Sequence, residues 1–560
     1  MMKIGGNQLK YSTFDGTPEA QKLGPKRHRF RVLIATVAFF CALCFPCAVL
    51  VVHHKSHSHL LSLVRATPAI KLTMKFKRRS MYYFGQSFAQ LYVFPRQNKN
   101  TGSLVYDGVV ELQHNAVTEK YVYVDSRAYY TKKVGNSTSV ASCLAASQMP
   151  LLHSLDSTLH SARIVESAEV GTRKIEVQTD CPGGRLLSVV FGGEKFILCS
   201  SNAERISHAI GEDMDFDVEY LTSRAGVPNL EVPTDEGGST LHCDVITPED
   251  VPITSSLAAA TTEFTNSLLG SRPKDFFGTD CKCKSVRKPC LFIHGLFNFI
   301  EAPMTDSFSL YWGDVHKHLP CCSSTKFVHF DTINHGWNDD SIQQSFCKAA
   351  LQVSASKNKT IGPLNLITHS MGNMIASAAL ATGKCTMSNK VTWISSAGPM
   401  RGSQGANLLA QKCLGGGLDA IITKPLKFLG FCPPTRAFAS LYYQTTMNQA
   451  TQKLLIASQQ ARAKHTNKKV LCGTSGYGIT SIFSVPLQII GAWVDHKDAN
   501  DGMVSVESCT AGLSSSVTFG GDITSKNYKG PMNHEDLAFR NGDGWLGDNR
   551  KPVKWLSCAL

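Results

Sequence analysis

The sequence predicts an α/β domain built on a mostly parallel sheet, preceded by a β-rich domain and a single transmembrane helix. Three observations predict it. From about residue 285, short apolar runs alternate with segments of helical period, the pattern of a sheet covered on both faces. Between residues 72 and 245 the chain is heavy in Tyr, Phe and Val and alternates, as in Tyr121-Val122-Tyr123-Val124. Near the N-terminus, the run that opens at Val32 and closes at Val52 holds 21 residues without a charge, and about 20 suffice to cross a bilayer.

Residues 1–31 form a basic tail with seven Lys and Arg against two acidic residues. Lys26, Arg27, Arg29 and Arg31 stand just before the apolar run and Lys55 just after it. Positive charge stays on the cytoplasmic side, so the run at 32–52 is expected to be a type II signal anchor with everything beyond it lumenal or extracellular. A cleaved signal peptide is the competing reading, disfavoured by the long basic segment ahead of it. Residues 53–71 are a juxtamembrane linker, and its histidines (His53, His54, His57, His59) are expected to be solvated rather than metal-bound. The net charge of +14 does not imply nucleic acid, because about a third of it is the tail that orients the anchor.

The chain has 19 cysteines. Cys41, Cys44 and Cys47 lie in the anchor, and the other 16 suit disulfides in an oxidising compartment. A zinc site at Cys281, Cys283 and Cys290 is the rival, but C-x-C followed by six residues and C is not a usual zinc spacing. The sequons at Asn136 and Asn358 both fall on the expected lumenal side.

Within 72–245, strands are expected over 81–94, 119–130, 174–177 and 186–198, the last broken at Gly192-Gly193, with one helix over 151–164. This region shows no repeat and no catalytic constellation. Residues 246–284 read as a linker that continues the Pro/Gly/acidic stretch at 228–238. From 285 to 560 the expected elements are strands at 290–293, 326–330, 364–367 and 390–396 and a helix over 341–356. An insertion-sized region within 404–490 holds two apolar stretches, 418–429 and 479–490. These could cover an acyl pocket as a lid or be ordinary core helices.

The strand at 364–367 runs into Thr368-His369-Ser370-Met371-Gly372-Asn373 and then an apolar helix. This is the context of a nucleophilic serine on a sharp turn, with the Met371 amide facing the oxygen that becomes negative. Thr368 replaces the usual first glycine. Strand-terminal His294-Gly295-Leu296 suits a loop whose Leu296 amide is the second oxyanion donor. Asp501 and His534 follow in the order Ser, acid, His, where His534 moves the serine proton and Asp501 holds its tautomer. Asp495, Asp498 and Glu507 are alternative acids, and His496 is an alternative base. His369 is read as structural.

The segments at 290–298, 364–380, 397–403, 499–508 and 532–536 resemble those of true lipases in the α/β-hydrolase superfamily, most nearly the bacterial triacylglycerol lipases. Pro399-Met400-Arg401-Gly402-Ser403 has Met where that family has His. Asn500-Asp501-Gly502-Met503-Val504-Ser505 has Ser505 where it has Pro. The resemblance implies Ser370 as nucleophile, Asp501 as acid, His534 as base, and Asp536 where those lipases place a calcium ligand. It covers roughly 285–540. The expected activity is hydrolysis of carboxylic esters, with lipids as the substrate class. A lipid acyltransferase of the same fold, suggested by His369-Ser370-Met371-Gly372-Asn373, is the first alternative. A catalytically inert surface binding protein is the second.

Overall fold

The structure is a computed structural model. It describes residues 64–560 except 65, 99–103, 137–139, 145–151, 202–204, 235–237, 247–273, 278–280, 282, 284–285, 297, 299–300, 416–433, 480, 482–483, 495 and 497. The expected tail, the anchor at 32–52 and the histidines at 53–59 therefore lie outside the described residues. Among the described residues no helix is long and apolar enough to cross a membrane.

The β-rich region is one antiparallel sheet of eleven strands. The strands are β1 (Ala69–Phe76), β2 (Phe88–Gln97), β3 (Leu104–His114), β4 (Val117–Val124), β5 (Arg127–Val134), β6 (Val140–Leu144), β7 (Arg163–Val165), β8 (Arg185–Phe191), β9 (Glu194–Ser200), β10 (Ile206–Gly211) and β11 (Met214–Leu221). Their order is β6-β5-β4-β3-β2-β1-β11-β10-β9-β8-β7, so consecutive strands pair and β1 closes on β11. The stretch at 119–130 is thus two strands. Asp125 and Ser126 form the turn between them at φ 49° and 60°, the left-handed pair a tight hairpin needs. Gly192 and Gly193 do the same at φ 61° and 81°. The helix expected over 151–164 shrinks to a 3-10 turn, Leu152–Ser154, and a short helix, Leu155–His160. The chain then pairs as β7.

Val227, Leu230, Val232 and Leu241 pack on the sheet's core, and Cys243 is joined to Cys143 of β6. In a separate small sheet, Ser167–Val170 lies between Lys274–Phe277, with which it is parallel, and Arg173–Glu176, with which it is antiparallel.

The α/β layer follows. Its strands are β12 (Lys288–Ile293), β13 (Ala302–Thr305), β14 (Cys322–His329), β15 (Leu364–His369), β16 (Val391–Ser396), β17 (Lys468–Gly473) and β18 (Tyr528–Gly530). They order as β13-β14-β12-β15-β16-β17-β18. All neighbours are parallel except the edge strand β13. β15 and β16 are buried along their whole length, and β12 over Cys290–Ile293, because both faces are covered. Its helices include α1 (Asp340–Val353), α2 (Met371–Ala381), α3 (Gln404–Gly415), α4 (Gln449–Lys464), α5 (Ser484–Trp493) and α6 (Pro552–Ala559).

Residues 404–490 are mostly scaffold. They include the sheet strand β17, and Leu487 and Ile490 of α5 are buried in the main core with Leu455 of α4. Within the apolar stretch at 479–490 the described helix begins at Ser484, and the other stretch, 418–429, lies outside the described residues.

Among the described residues, fourteen cysteines pair in seven disulfides. Cys281, Cys283 and Cys290 bond to Cys558, Cys321 and Cys322 respectively, so their sulfurs do not form a zinc site.

Candidate active site

Parallel register brings the site together at the C-terminal ends of three central strands. Ile293 of β12 lies beside Thr368 of β15, and His369 lies beside Ser396 of β16. β15 then turns so sharply that Ser370 sits at φ 51°, ψ −127° before α2 begins. A residue with a Cβ holds such a conformation at a cost of ~1–3 kcal/mol, and only when its surroundings enforce it. Here they do. A Cβ on Gly372 would lie 2.5 Å from the Ile293 carbonyl oxygen, and one on Gly295 would lie 2.7 Å from the Ser370 Cβ. The two glycines let the serine turn and the end of β12 touch.

Thr368 braces this turn. Its buried hydroxyl accepts from Trp393 Nε1 at 2.8 Å and donates to Asn373 Oδ1 at 2.6 Å. The Asn373 amide nitrogen donates in turn to the Ser396 carbonyl at 2.7 Å, and that carbonyl also accepts from Ser370 N–H at 3.1 Å. A glycine at 368 could make none of the side-chain bonds.

Ser370, His534 and Asp501 meet. His534 Nε2 is 2.9 Å from Ser370 Oγ, and His534 Nδ1 is 2.8 Å from Asp501 Oδ2. Asp501 Oδ1 accepts from the amides of Met503 at 3.0 Å and Val504 at 2.7 Å, and all three side chains are buried. The carboxylate fixes Nδ1–H, which leaves Nε2 to accept from the serine. Burial alone would lower the His534 pKa, but the Asp501 charge and hydrogen bond outweigh it and hold it above the ordinary 6.5. The alternative acids stand elsewhere. Asp498 caps the Glu507 amide at 2.6 Å and Glu507 pairs with Arg401, while Asp495 lies outside the described residues.

The loop after β12 is pinned on both sides of Gly295. Phe330 N–H donates to His294 Nε2 at 3.0 Å, so Nδ1–H donates to the Gly295 carbonyl at 2.8 Å. Burial keeps His294 neutral, with its pKa pushed down to about 4. Because the peptide is planar and trans, holding that carbonyl aims Leu296 N–H away from the His294 ring. Gly295 N–H is itself taken, donating to the Tyr311 hydroxyl at 2.7 Å. Among the described residues no acceptor takes the amides of Leu296 or Met371. Met371 is the first residue of α2, where N–H groups have no partner within the helix.

Tyr311 was not visible in the sequence, yet it ties the site together. Its hydroxyl donates to His369 Nδ1 at 2.7 Å, and His369 Nε2–H donates to the His534 carbonyl at 2.9 Å. Burial, and then the neighbouring His534, keep His369 neutral far below the usual histidine range. His369 is thus a spacer between the loop after β12 and the loop that carries His534. The available signal was an aromatic pair, Tyr311-Trp312, shortly after the His294-Gly295 turn.

Asp536 does not fit calcium. Its Oδ2 accepts from the amides of Ile479 at 2.7 Å and Asn533 at 2.8 Å, and its Oδ1 accepts from the Asn541 side-chain amide at 2.7 Å. Its oxygens meet N–H donors rather than a second carboxylate, and burial pushes its pKa up to about 7. Among the described residues no group of three acidic, His or Cys side chains could hold a metal. Asp536 ties the loop that carries His534 to residues 479 and 541. The sequon residues Asn136 and Asn358 are exposed on turns.

No family model and no curated protein matches the sequence. Fourteen chains of known structure match by fold. Phospholipase PlaB from Legionella pneumophila is 14% identical over 40% of this chain and 45% of its own, with a TM-score of 0.25. Staphylococcus hyicus lipase is 14% identical over 50% of this chain and 95% of its own, at 0.26. The haloalkane dehalogenase DatA from Agrobacterium tumefaciens is 13% identical over 36% and 76%, at 0.22. The chain thus spans under half the length of the Legionella phospholipase. These neighbours are hydrolases, but with likenesses this slight the reaction has to be inferred from the geometry of the site.

Proposed function

We propose that this protein is a serine hydrolase of carboxylic esters, with lipids as its substrate class. The observation that carries the reading is the continuous array Ser370–His534–Asp501 beside two unclaimed amides. Ser370 Oγ attacks the ester carbonyl as its proton passes to His534 Nε2. The oxygen that becomes negative is met by Leu296 N–H and Met371 N–H. His534 then returns the proton to the departing alkoxide, which leaves as the alcohol. Water, deprotonated by the same ring, attacks the acyl-serine and releases the acid. Asp501 holds the ring in place and stabilises the imidazolium.

The apolar run at 32–52 would place the domain beside a bilayer as a type II membrane protein, and the seven disulfides suit the lumenal or extracellular side. Both support lipids as substrates. Full-length protein given acyl esters of glycerol and of glycerophospholipids should release free fatty acid, and Ser370→Ala should abolish the release. If an added alcohol collects most of the acyl groups as a new ester, the acyltransferase reading replaces hydrolysis. No turnover on any ester sinks both.

A further inference from the structure

Residues of the β1–β11 sheet and of the α/β layer line a partly open cavity of ≈ 110 Å³. Its walls are mostly apolar: Met74, Val110, Leu112 and Tyr121 come from the sheet, Ile479 and Leu546 from the other layer. Ser370 is not among them. Polar groups on the walls are largely committed. Asn541 Nδ2 donates to Asp536 at 2.7 Å, and Trp545 Nε1 donates to the Met81 carbonyl at 3.1 Å. Asp543 accepts from Ser80 Oγ at 2.7 Å, from Arg78 at 3.4 Å and from the Val553 amide at 2.8 Å.

Arg550 is the exception. Its guanidinium makes one long side-chain bond, Nη2 to the Leu546 carbonyl at 3.3 Å. Among the described residues no carboxylate lies within ion-pair distance, and Asp536 and Glu194 act on it only through space. A cation on an apolar wall, with most of its planar donor fork unused, is suited to a two-oxygen anion carried on an aliphatic chain.

We infer that this cavity is a second binding site, distinct from Ser370, which takes a fatty acid with its carboxylate on Arg550 and its chain against β1, β3 and β4. The volume is of the order of the ~150 Å³ apolar cavity that stays dry and admits benzene. It therefore holds part of a chain, and the open side passes the rest. The site does not depend on the proposed reaction, although a fatty acid is also what that reaction would release.

The test is photo-crosslinking of the full-length protein, carried on the Ser370→Ala background so that catalysis plays no part. Decanoic acid and decanol, each bearing a terminal diazirine, are the probes, and adducts are mapped by peptide mass spectrometry. The acid should label peptides containing Met74, Val110 or Tyr121. Arg550→Gln should cut acid labelling at least tenfold and leave decanol labelling within twofold, which also reports that the fold is intact. Arg550→Lys should retain a substantial part of the acid labelling, and Val110→Trp should block both probes. Acid adducts confined to other peptides, or undiminished labelling in Arg550→Gln, overturn the inference. Loss of both probes in Arg550→Gln and Arg550→Lys alike overturns it too, because Arg550 would then be a structural support.

Discussion

His534 and Tyr311 carry the predictions that belong to single residues. The proposed base must be neutral to take the serine proton, and Asp501 holds its pKa above 6.5. As pH falls through that raised value the ring is protonated first in the free enzyme, so kcat/KM should decline on an acid limb lying above 6.5. A limb at or below that value would mean that Asp501 does not act on His534 as the geometry requires. Tyr311 is a positioning residue, for it reaches the reacting atoms only through Gly295 and His369. Tyr311→Phe leaves the Gly295 N–H without its acceptor and His369 Nδ1 without its donor. At ~1–2 kcal/mol of lost positioning, kcat should drop about tenfold with KM little changed and the acid limb unmoved. A change confined to KM would place Tyr311 in substrate binding instead.

At the scale of elements, the turn between β15 and α2 depends on partners from β16. Replacing Thr368 by the glycine that the usual serine motif carries orphans Trp393 Nε1 and Asn373 Oδ1, both buried. Thr368→Gly should therefore destabilise the protein by about 1–3 kcal/mol, read as a lower denaturant midpoint with an unchanged slope. A neutral or stabilising outcome would show that the network does not support the turn. This is also where sequence reasoning reached its limit. The strands β12, β15 and β16 were legible because continuous apolar runs ending at His294-Gly295 and Thr368-His369-Ser370 leave few other readings. The brace on Thr368 was not, because Trp393 is 25 residues away and reads as an ordinary core aromatic. The same holds for α5, whose apolar residues fit a lid and a core helix equally well until Leu487 and Ile490 are seen packed in the core. Asp536 was a calcium position only through the resemblance to bacterial lipases, and the three N–H donors around it were not legible in the sequence.

Across the whole molecule, the β-rich sheet and the α/β layer are joined by buried charges that no single region of the sequence announces. Lys551 Nζ contacts Asp213 at 2.6 Å and also pairs with Glu194, while Lys554 Nζ meets Asp213 at 2.9 Å and Glu212 at 3.0 Å. Burial alone would raise the Asp213 pKa, but the two lysines outweigh it and hold it at about 2. A depressed carboxylate contributes stability above its unfolded value of ~3.9 and loses it as pH falls through about 2, so the Asp213 contacts survive mild acid, whereas burial raises the Glu194 carboxyl and its pairing with Lys551 is lost first. Lys551→Met leaves buried Glu194 without its cation and takes one of two lysines from Asp213, and should cost about 3–5 kcal/mol, splitting one unfolding transition into two as the layers part. A variant that still unfolds in one step at the wild-type midpoint would show that the charges are not the joint. The central claim rests on one serine, and a fluorophosphonate probe tests it most directly. Folded full-length protein should be labelled at Ser370, with mass spectrometry placing the adduct there and Ser370→Ala or His534→Ala abolishing it. Folded protein that resists the probe, or an adduct at any other serine, would contradict the account.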